Sequence, residues 1–202
     1  MAKKDDDGKG TKKRAGADIS ARVAALFPEA NQIKSRALRE KVIQCWVEGC
    51  EANGWNPDEL VDIPFTLLAG DIDITYIEHV RTVTRMCIAC CDIMLDAYGE
   101  RVAAKLDRDT LIAGSLLADV GKLYEYEKKN GKIVKSKAGD YLRHPFSGVG
   151  LAWKNGLPDA VMHLIAAHSK EGEAMTRTAE AIIVNHCDFI DFDIVKYKPK
   201  KG

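Results

Sequence analysis

The sequence lacks any apolar run of the roughly 18 residues that a membrane-spanning helix needs. Its N-terminus also lacks the apolar middle section of a secretory signal peptide. Net charge is missing too, because 30 Lys and Arg residues balance 30 Asp and Glu residues. No overall basic field therefore favours nucleic acid as a partner. These absences predict a cytoplasmic protein that binds neither a membrane nor nucleic acid.

The six cysteines lack the spacing that is typical of a disulfide framework. Cys87, Cys90 and Cys91 crowd one predicted helix, where neighbours do not easily pair with one another. Cys87 and Cys90 have zinc-like spacing, but no second Cys or His pair at matching spacing accompanies them. We interpret the cysteines as reduced, buried thiols that pack in the core.

The chain length of 202 residues favours one domain, or one domain with an appendage, and an apolar fraction of 46% is enough to build a core. Residues 1–20 combine lysines, glycines and an Asp triplet. Such a segment buries little apolar surface, so we predict a disordered leader; a basic arm that contacts RNA or a membrane is the less favoured alternative. Residues 21–196 are predicted to form a single helical domain, and residues 197–202 a frayed basic tail.

Apolar residues recur at helical spacing along most of the chain, which predicts an all-α fold. Glycines and prolines separate the predicted helices. One polar segment is centred on Asn130-Gly131 and flanked by apolar residues, which is typical of a small β-hairpin near residues 123–135. The predicted helices cover residues 35–52, 75–98, 109–119, 145–155, 158–168 and 176–192.

Four residues of metal-ligand type continue the apolar stripes of predicted helices: His79, Asp119, His168 and Asp188. A buried carboxylate is unfavourable unless it is paired or bound to a metal. Two carboxylates and several imidazoles that face one interior therefore indicate a divalent cation, although buried Asp–Arg or Asp–His pairs are an alternative. Mixed nitrogen and oxygen ligands suit Mn, Fe, Co, Ni or Zn better than Mg or Ca.

The order of these residues resembles the HD superfamily of metal-dependent phosphohydrolases. That pattern consists of a histidine, a His-Asp doublet and a distant aspartate on helices, and members with two metals add two histidines before the last aspartate. The match covers about residues 76–191. The matching segments are Glu78-His79-Val80-Arg81, Leu116-Leu117-Ala118-Asp119-Val120-Gly121-Lys122, Arg143-His144-Pro145, Ala167-His168 and Asn185-His186-Cys187-Asp188.

The resemblance implies a compact helical HD-domain bundle that binds one or two divalent ions. The implied activity is hydrolysis of a small substrate, most commonly a phosphoester, by metal-activated water. His144 and His168 match only the two-metal pattern, so they either bind a second ion or act as acid, base or substrate contacts. The implied metal ligands are His79, Asp119, His144, His168 and Asp188, and the implied catalytic residues are Asp119, Lys122 and His144.

One position departs from the family pattern, because Ala118 replaces the histidine of the His-Asp doublet. That histidine is a metal ligand in the family, so its loss should weaken one metal site. Either the natural sequence lacks the residue, or Ala118 is an engineered substitution that traps a substrate. The intact state of the other motif positions favours engineering.

Several further residues are predicted to contact substrate. Lys122 follows Asp119 by one turn and can bind an anionic group, but it can equally be an exposed lysine at a helix end. Arg81 and Arg85 lie one turn apart and can clamp a phosphate or carboxylate, or pair with nearby acidic residues at the surface. Tyr124 is predicted to line the pocket.

Few basic residues lie near the motifs, which favours a small substrate over a nucleotide or polyphosphate. Two other reactions remain open for the same site: hydrolytic C–C ring cleavage of a cyclic ketone and a diiron oxygenase reaction. A third possibility is a non-catalytic member, because of Ala118. The apolar first helix and the segment around Phe65 indicate a face for a homodimer.

Overall fold

The computed structural model describes residues 18–68, 72–103 and 105–198. Its elements are almost all helical, which confirms the all-α prediction. The helices are α1 (18–26), α2 (Arg36–Asn53), α3 (Tyr76–Tyr98), α4 (Glu100–Ala103), α5 (Arg108–Leu117), α6 (Lys122–Glu125), α7 (Lys137–Tyr141), α8 (His144–Lys154), α9 (Asp159–Ala167) and α10 (Ala179–Lys196). Short 3-10 turns occupy Pro28–Gln32, Pro57–Asp62 and Lys170–Gly172.

A β-hairpin interrupts the helices and pairs β1 (Tyr126–Lys129) with β2 (Lys132–Lys135) in antiparallel register. Its turn uses Asn130 and Gly131, which have φ angles of 52° and 74°. Asparagine and glycine tolerate these left-handed angles, so this pair sets the turn as predicted. The predicted hairpin began too early, because residues 123–125 belong to α6 and their N–H groups bond to carbonyls of the preceding turn.

Helix α5 forms the centre of the core, and every residue from Leu111 to Leu117 is buried. It packs against α2, α3, α9 and α10. The indole Nε1 of Trp46 on α2 donates a hydrogen bond to the carbonyl of Leu116 at 3.2 Å. The chain leaves α5 inside the molecule, so the next polar residue, Asp119, stays buried.

Several predicted boundaries differ from the structure. Residues 18–20, which we placed in the leader, belong to α1, because Ile19 packs against the core. Residues 1–17 lie outside the described residues, as do 199–202 of the predicted tail. The helix predicted over residues 109–119 ends at Leu117, and α4, α6 and α7 were not predicted.

The cysteines are free thiols, and all are buried except the half-buried Cys90. The apolar face of α2 packs in the core through Val42 and Trp46. Phe65 is also buried, at 1% exposure. These three side chains therefore lie inside this chain, and the predicted homodimer stays a prediction. Across the described helices, none combines the length and apolar character needed to cross a membrane.

Gly121 allows α6 to approach α8 closely, and we expect Gly121→Ala to destabilise the fold. An added Cβ would lie 2.0 Å from the carbonyl oxygen of His144 and 2.7 Å from the backbone nitrogen of Gly148. Overpacking against backbone should lower the free energy of unfolding by about 3 kcal/mol, as measured by urea denaturation.

Gly150→Ala in α8 is the matched control. An added Cβ at Gly150 meets no atom within 4 Å. The substitution should stabilise the protein by about 0.5–1 kcal/mol, because alanine favours the helix. Equal stability of the Gly121 and Gly150 variants would contradict this account of the α6–α8 contact.

Candidate metal centre

Five side chains from different elements converge on one cavity. His79 lies in the first turn of α3, Asp119 follows α5, His144 begins α8, His168 ends α9 and Asp188 lies on α10. They form two overlapping groups of three residues, and within each group the ligand atoms lie within 4.8 Å of one another. We call the group of His79, Asp119 and Asp188 half-site A, and the group of Asp119, His144 and His168 half-site B. All five predicted ligands are thus brought together.

Asp119 is shared between the half-sites, with one carboxylate oxygen facing each. Its Oδ2 lies 3.1 Å from His79 Nε2, and its Oδ1 lies 3.2 Å from His144 Nε2 and 3.7 Å from His168 Nε2. His79 Nε2 is also 3.2 Å from Asp188 Oδ1. Ligand atoms bonded to one ion at about 2.1 Å lie about 3.0–3.4 Å apart. Most of these separations therefore match the spacing around a shared cation.

The three imidazoles are oriented by acceptors on the side away from the cavity. Nδ1 of His79 lies 2.6 Å from Asp191 Oδ2, Nδ1 of His144 lies 2.8 Å from Glu125 Oε2, and Nδ1 of His168 lies 2.7 Å from the carbonyl of Ile165. Nδ1 therefore carries the hydrogen, and each Nε2 faces the other ligands. This donor set fits a divalent transition metal.

Lys122 supplies a buried positive charge to the centre. Its ammonium donates to Asp119 Oδ2 at 2.8 Å and to the carbonyl of Phe65 at 2.9 Å. The alternative of an exposed lysine at a helix end is wrong, because the residue is only 7% exposed. The backbone of Asp119 is fixed as well, because the Tyr76 hydroxyl donates to its carbonyl at 2.7 Å.

The charges around Asp119 shift the pKa values of the cluster. Burial opposes ionisation of Asp119, but the charge of Lys122 and the hydrogen bonds from His168 and His79 together hold the pKa of its carboxyl well below the usual range. Burial also opposes the charged form of His79, but hydrogen bonds that it donates to three carboxylates raise its pKa to about 10. Burial lowers the pKa of His144. Burial opposes the charged form of His168 as well, but its hydrogen bond to Asp119 raises the pKa, so half-site B contains one imidazole with a lowered pKa and one with a raised pKa.

The cavity in front of the ligands has a volume of about 390 Å³. One wall is aromatic and aliphatic, and Phe65 in it packs edge-on against Phe192 with ring centroids 5.6 Å apart. The cationic residues of the lining come from separate elements. The apolar wall contains Phe65, Leu67, Leu68, Tyr126, Phe189 and Phe192, and the cations other than Lys122 are Lys135, Arg143 and Lys170.

Three predicted substrate contacts do not line this cavity. Arg81 pairs with Glu29, with its Nε 3.1 Å from Oε1. Arg85 is exposed, and Tyr124 is half-buried outside the lining. The structure thus places the two arginines apart from the metal ligands.

The remaining histidines do not contribute ligands to either group. His186 is exposed on α10. His163 accepts a hydrogen bond from the backbone N–H of Thr178 at 3.3 Å.

Sequence reasoning missed four residues that support or line the site: Glu125, Arg143, Glu171 and Asp191. Glu125 accepts hydrogen bonds from His144 and Arg143, and Arg143 also donates to Glu171 at 2.9 Å. A signal existed for Asp191, because it follows Asp188 by one helical turn. Glu125 had no comparable signal, since we placed it in the predicted hairpin.

No family model matches the chain, and no solved structure matches it. The chain is similar to the dihydroneopterin 2',3'-cyclic phosphate phosphodiesterase of Methanocaldococcus jannaschii. The two are 29% identical over 178 residues, a region that covers 84% of this chain and 68% of the relative. This similarity supports hydrolase activity for the chain.

Glu125 belongs to neither half-site, but we expect it to affect metal binding through its hydrogen bond with His144. Glu125→Gln removes the negative charge and leaves one acceptor oxygen in place of two, so His144 and Arg143 can no longer both be held, and the imidazole is less firmly oriented. We expect metal affinity to fall by about 10–100-fold, as measured by competition with a chromophoric chelator. The control is Glu127→Gln, since Glu127 is exposed on β1. Equal dissociation constants in both variants would contradict a supporting role for Glu125.

Proposed function

We propose that this chain is a metal-dependent phosphodiesterase of the HD type that acts on a small cyclic phosphate ester. The observation that carries the proposal is Asp119, whose two carboxylate oxygens each face histidine nitrogens at 3.1–3.7 Å. The similarity to a phosphodiesterase of cyclic phosphates supports the same reaction class. It also favours phosphoester hydrolysis over C–C cleavage or an oxygenase reaction.

The metal ligands proposed are His79, Asp119, His144, His168 and Asp188. A divalent ion of Mn, Fe, Co, Ni or Zn held there would supply an activated water as nucleophile and would polarise the phosphoryl group. Residues of this chain that line the same cavity would bind the substrate.

Substrate binding is divided between a cationic and an apolar part of the cavity. Lys135 and Lys170 lie where they can bind phosphate oxygens. Arg143 is held by Glu125 and Glu171, which keeps its guanidinium beside His144. The aromatic wall around Phe65 packs against the organic part of the ester and excludes water from it.

The proposal is tested by turnover of cyclic phosphate diesters, with dihydroneopterin 2',3'-cyclic phosphate and simple 2',3'-cyclic nucleotides as substrates. Chelator treatment should abolish hydrolysis, and one of the five metals should restore it. His168→Gln should lower kcat/KM by about 100-fold or more, because it removes a ligand. His186→Gln, on the exposed side of α10, should leave it unchanged. Chelator-resistant hydrolysis, or no hydrolysis with any metal, would overturn the proposal.

Ala118→His tests whether the missing ligand limits this chain. Ala118 is buried directly before Asp119. If the alanine is a substitution that traps substrate, histidine should raise both metal content and turnover, the latter by about tenfold or more. Elemental analysis and the same diester assay measure the two effects. No gain in either would refute the trapping hypothesis.

A further inference from the structure

Helix α10 is apolar on the side that faces solvent as well as on the side that packs in the core. We infer that this outer side is an interface between two copies of the chain, which pack through their α10 helices around a two-fold axis. The interface does not depend on the proposed function, because Asp188 points from α10 into the cavity and lies outside this surface. Its existence can be measured without a metal or a substrate.

The outer side of α10 is built around one row of residues that are four positions apart. Residues at this spacing lie one above another on the same side of a helix. Three of them, Ile182, Ile190 and Ile194, are 46–69% exposed. The fourth, His186, is also exposed, and Tyr197 adds an exposed ring just after the helix. A helix that is apolar on two sides is typical of one that is covered on both.

The exposed apolar surface continues from α10 onto α3. The two helices pack against each other, and half-buried Met86 of α3 and Ile183 of α10 contact the same group of core side chains. Ile93 follows Met86 by two helical turns and is exposed. The two helices therefore present one apolar surface. We call it the α3–α10 face, and it consists of Ile93, Ile182, Ile190, Ile194 and Tyr197.

The α3–α10 face has the size that a stable dimer needs. At about 150–200 Å² for a large side chain, the exposed parts of its residues amount to about 500 Å² of apolar surface. A standard interface takes about 800 Å² from each partner, and roughly 60% of that area is apolar. The two apolar areas are therefore similar. The balance of 30 basic and 30 acidic residues also leaves no net charge to keep two copies apart.

A second copy fits this face best when the two α10 helices run antiparallel. A row of residues four apart packs beside the same row of another helix in the commonest kind of helix contact. The row is centred at the level of position 188, so an antiparallel copy brings its own Ile194 opposite Ile182. A parallel copy would bring the exposed Asp193 and Lys196 near the same residues of the second copy, where like charges repel. The antiparallel pair avoids this repulsion and is two-fold symmetric.

Analytical ultracentrifugation of the full chain measures the dimer directly. The unsubstituted chain should sediment as a dimer at micromolar concentration. Ile194→Glu places a carboxylate opposite the apolar Ile182 at both ends of the symmetric contact, so it should weaken dimerisation by about 100-fold or more. Trp153→Glu is the matched control, because Trp153 is 72% exposed but lies on α8. It should remain a dimer, as should His186→Gln, which exchanges one polar side chain for another.

Cross-linking tests the antiparallel orientation. Chains that carry Ile182→Cys are mixed with chains that carry Ile194→Cys, and a short bifunctional thiol reagent is added. Both also carry Cys90→Ser, since Cys90 is the one native thiol that is not fully buried. The mixture should give more cross-linked dimer than either variant alone, because like positions lie about 18 Å apart in the antiparallel pair. Cross-linking of each variant alone, and not of the mixture, would overturn this orientation.

Far-UV circular dichroism and melting temperature verify that each variant is folded, and Ile182→Glu replaces Ile194→Glu if the latter does not fold. A monomeric unsubstituted chain overturns the inference, and so does a dimer that Trp153→Glu dissociates and Ile194→Glu does not. A monomer that binds lipid vesicles through the same isoleucines assigns the face to a membrane instead. The proposed function is tested separately, because an active monomer overturns only the dimer and an inactive dimer overturns only the proposed function.

Discussion

The carboxylate of Asp119 is the constraint around which the rest of the molecule is arranged. It stands directly after the fully buried helix α5 and is only 3% exposed. A carboxylate in that position is strongly destabilising unless other groups compensate its charge and donate hydrogen bonds to it. Lys122 and three imidazoles do so, and they come from the turn after α5 and from α3, α8 and the end of α9. The packing of these helices therefore also determines the geometry of the site.

Helical periodicity explains how much of this site the sequence could predict. His79, Asp119, His168 and Asp188 continue apolar stripes, so the same spacing that marks the core-facing side of each helix also directs these ligands inward. His144 has no such stripe before it, since it begins α8, and only the family resemblance indicated it. The hairpin was predicted because Asn130-Gly131 sets its own turn through local backbone angles.

Hydrogen-bond partners could not be predicted in the same way, because they depend on how distant elements pack. Arg81 pairs with Glu29, which lies 52 positions away. Glu125 reaches His144 only because Gly121 allows α6 to lie against α8. One lining cation shows the same limit, because Lys135 reaches the cavity from β2, away from the motifs. Lys170 does not, since it follows His168 by two positions.

The charges of the cavity bear on what the site can bind. The carboxylates of Asp119 and Asp188 line the same cavity as Lys135 and Lys170. These carboxylates repel an anion, and the divalent cation of the proposed function would offset that repulsion when a phosphate approaches. Lys122 already neutralises one oxygen of Asp119, so one divalent ion bound there, as proposed, would leave the centre with less negative charge than its carboxylates alone suggest.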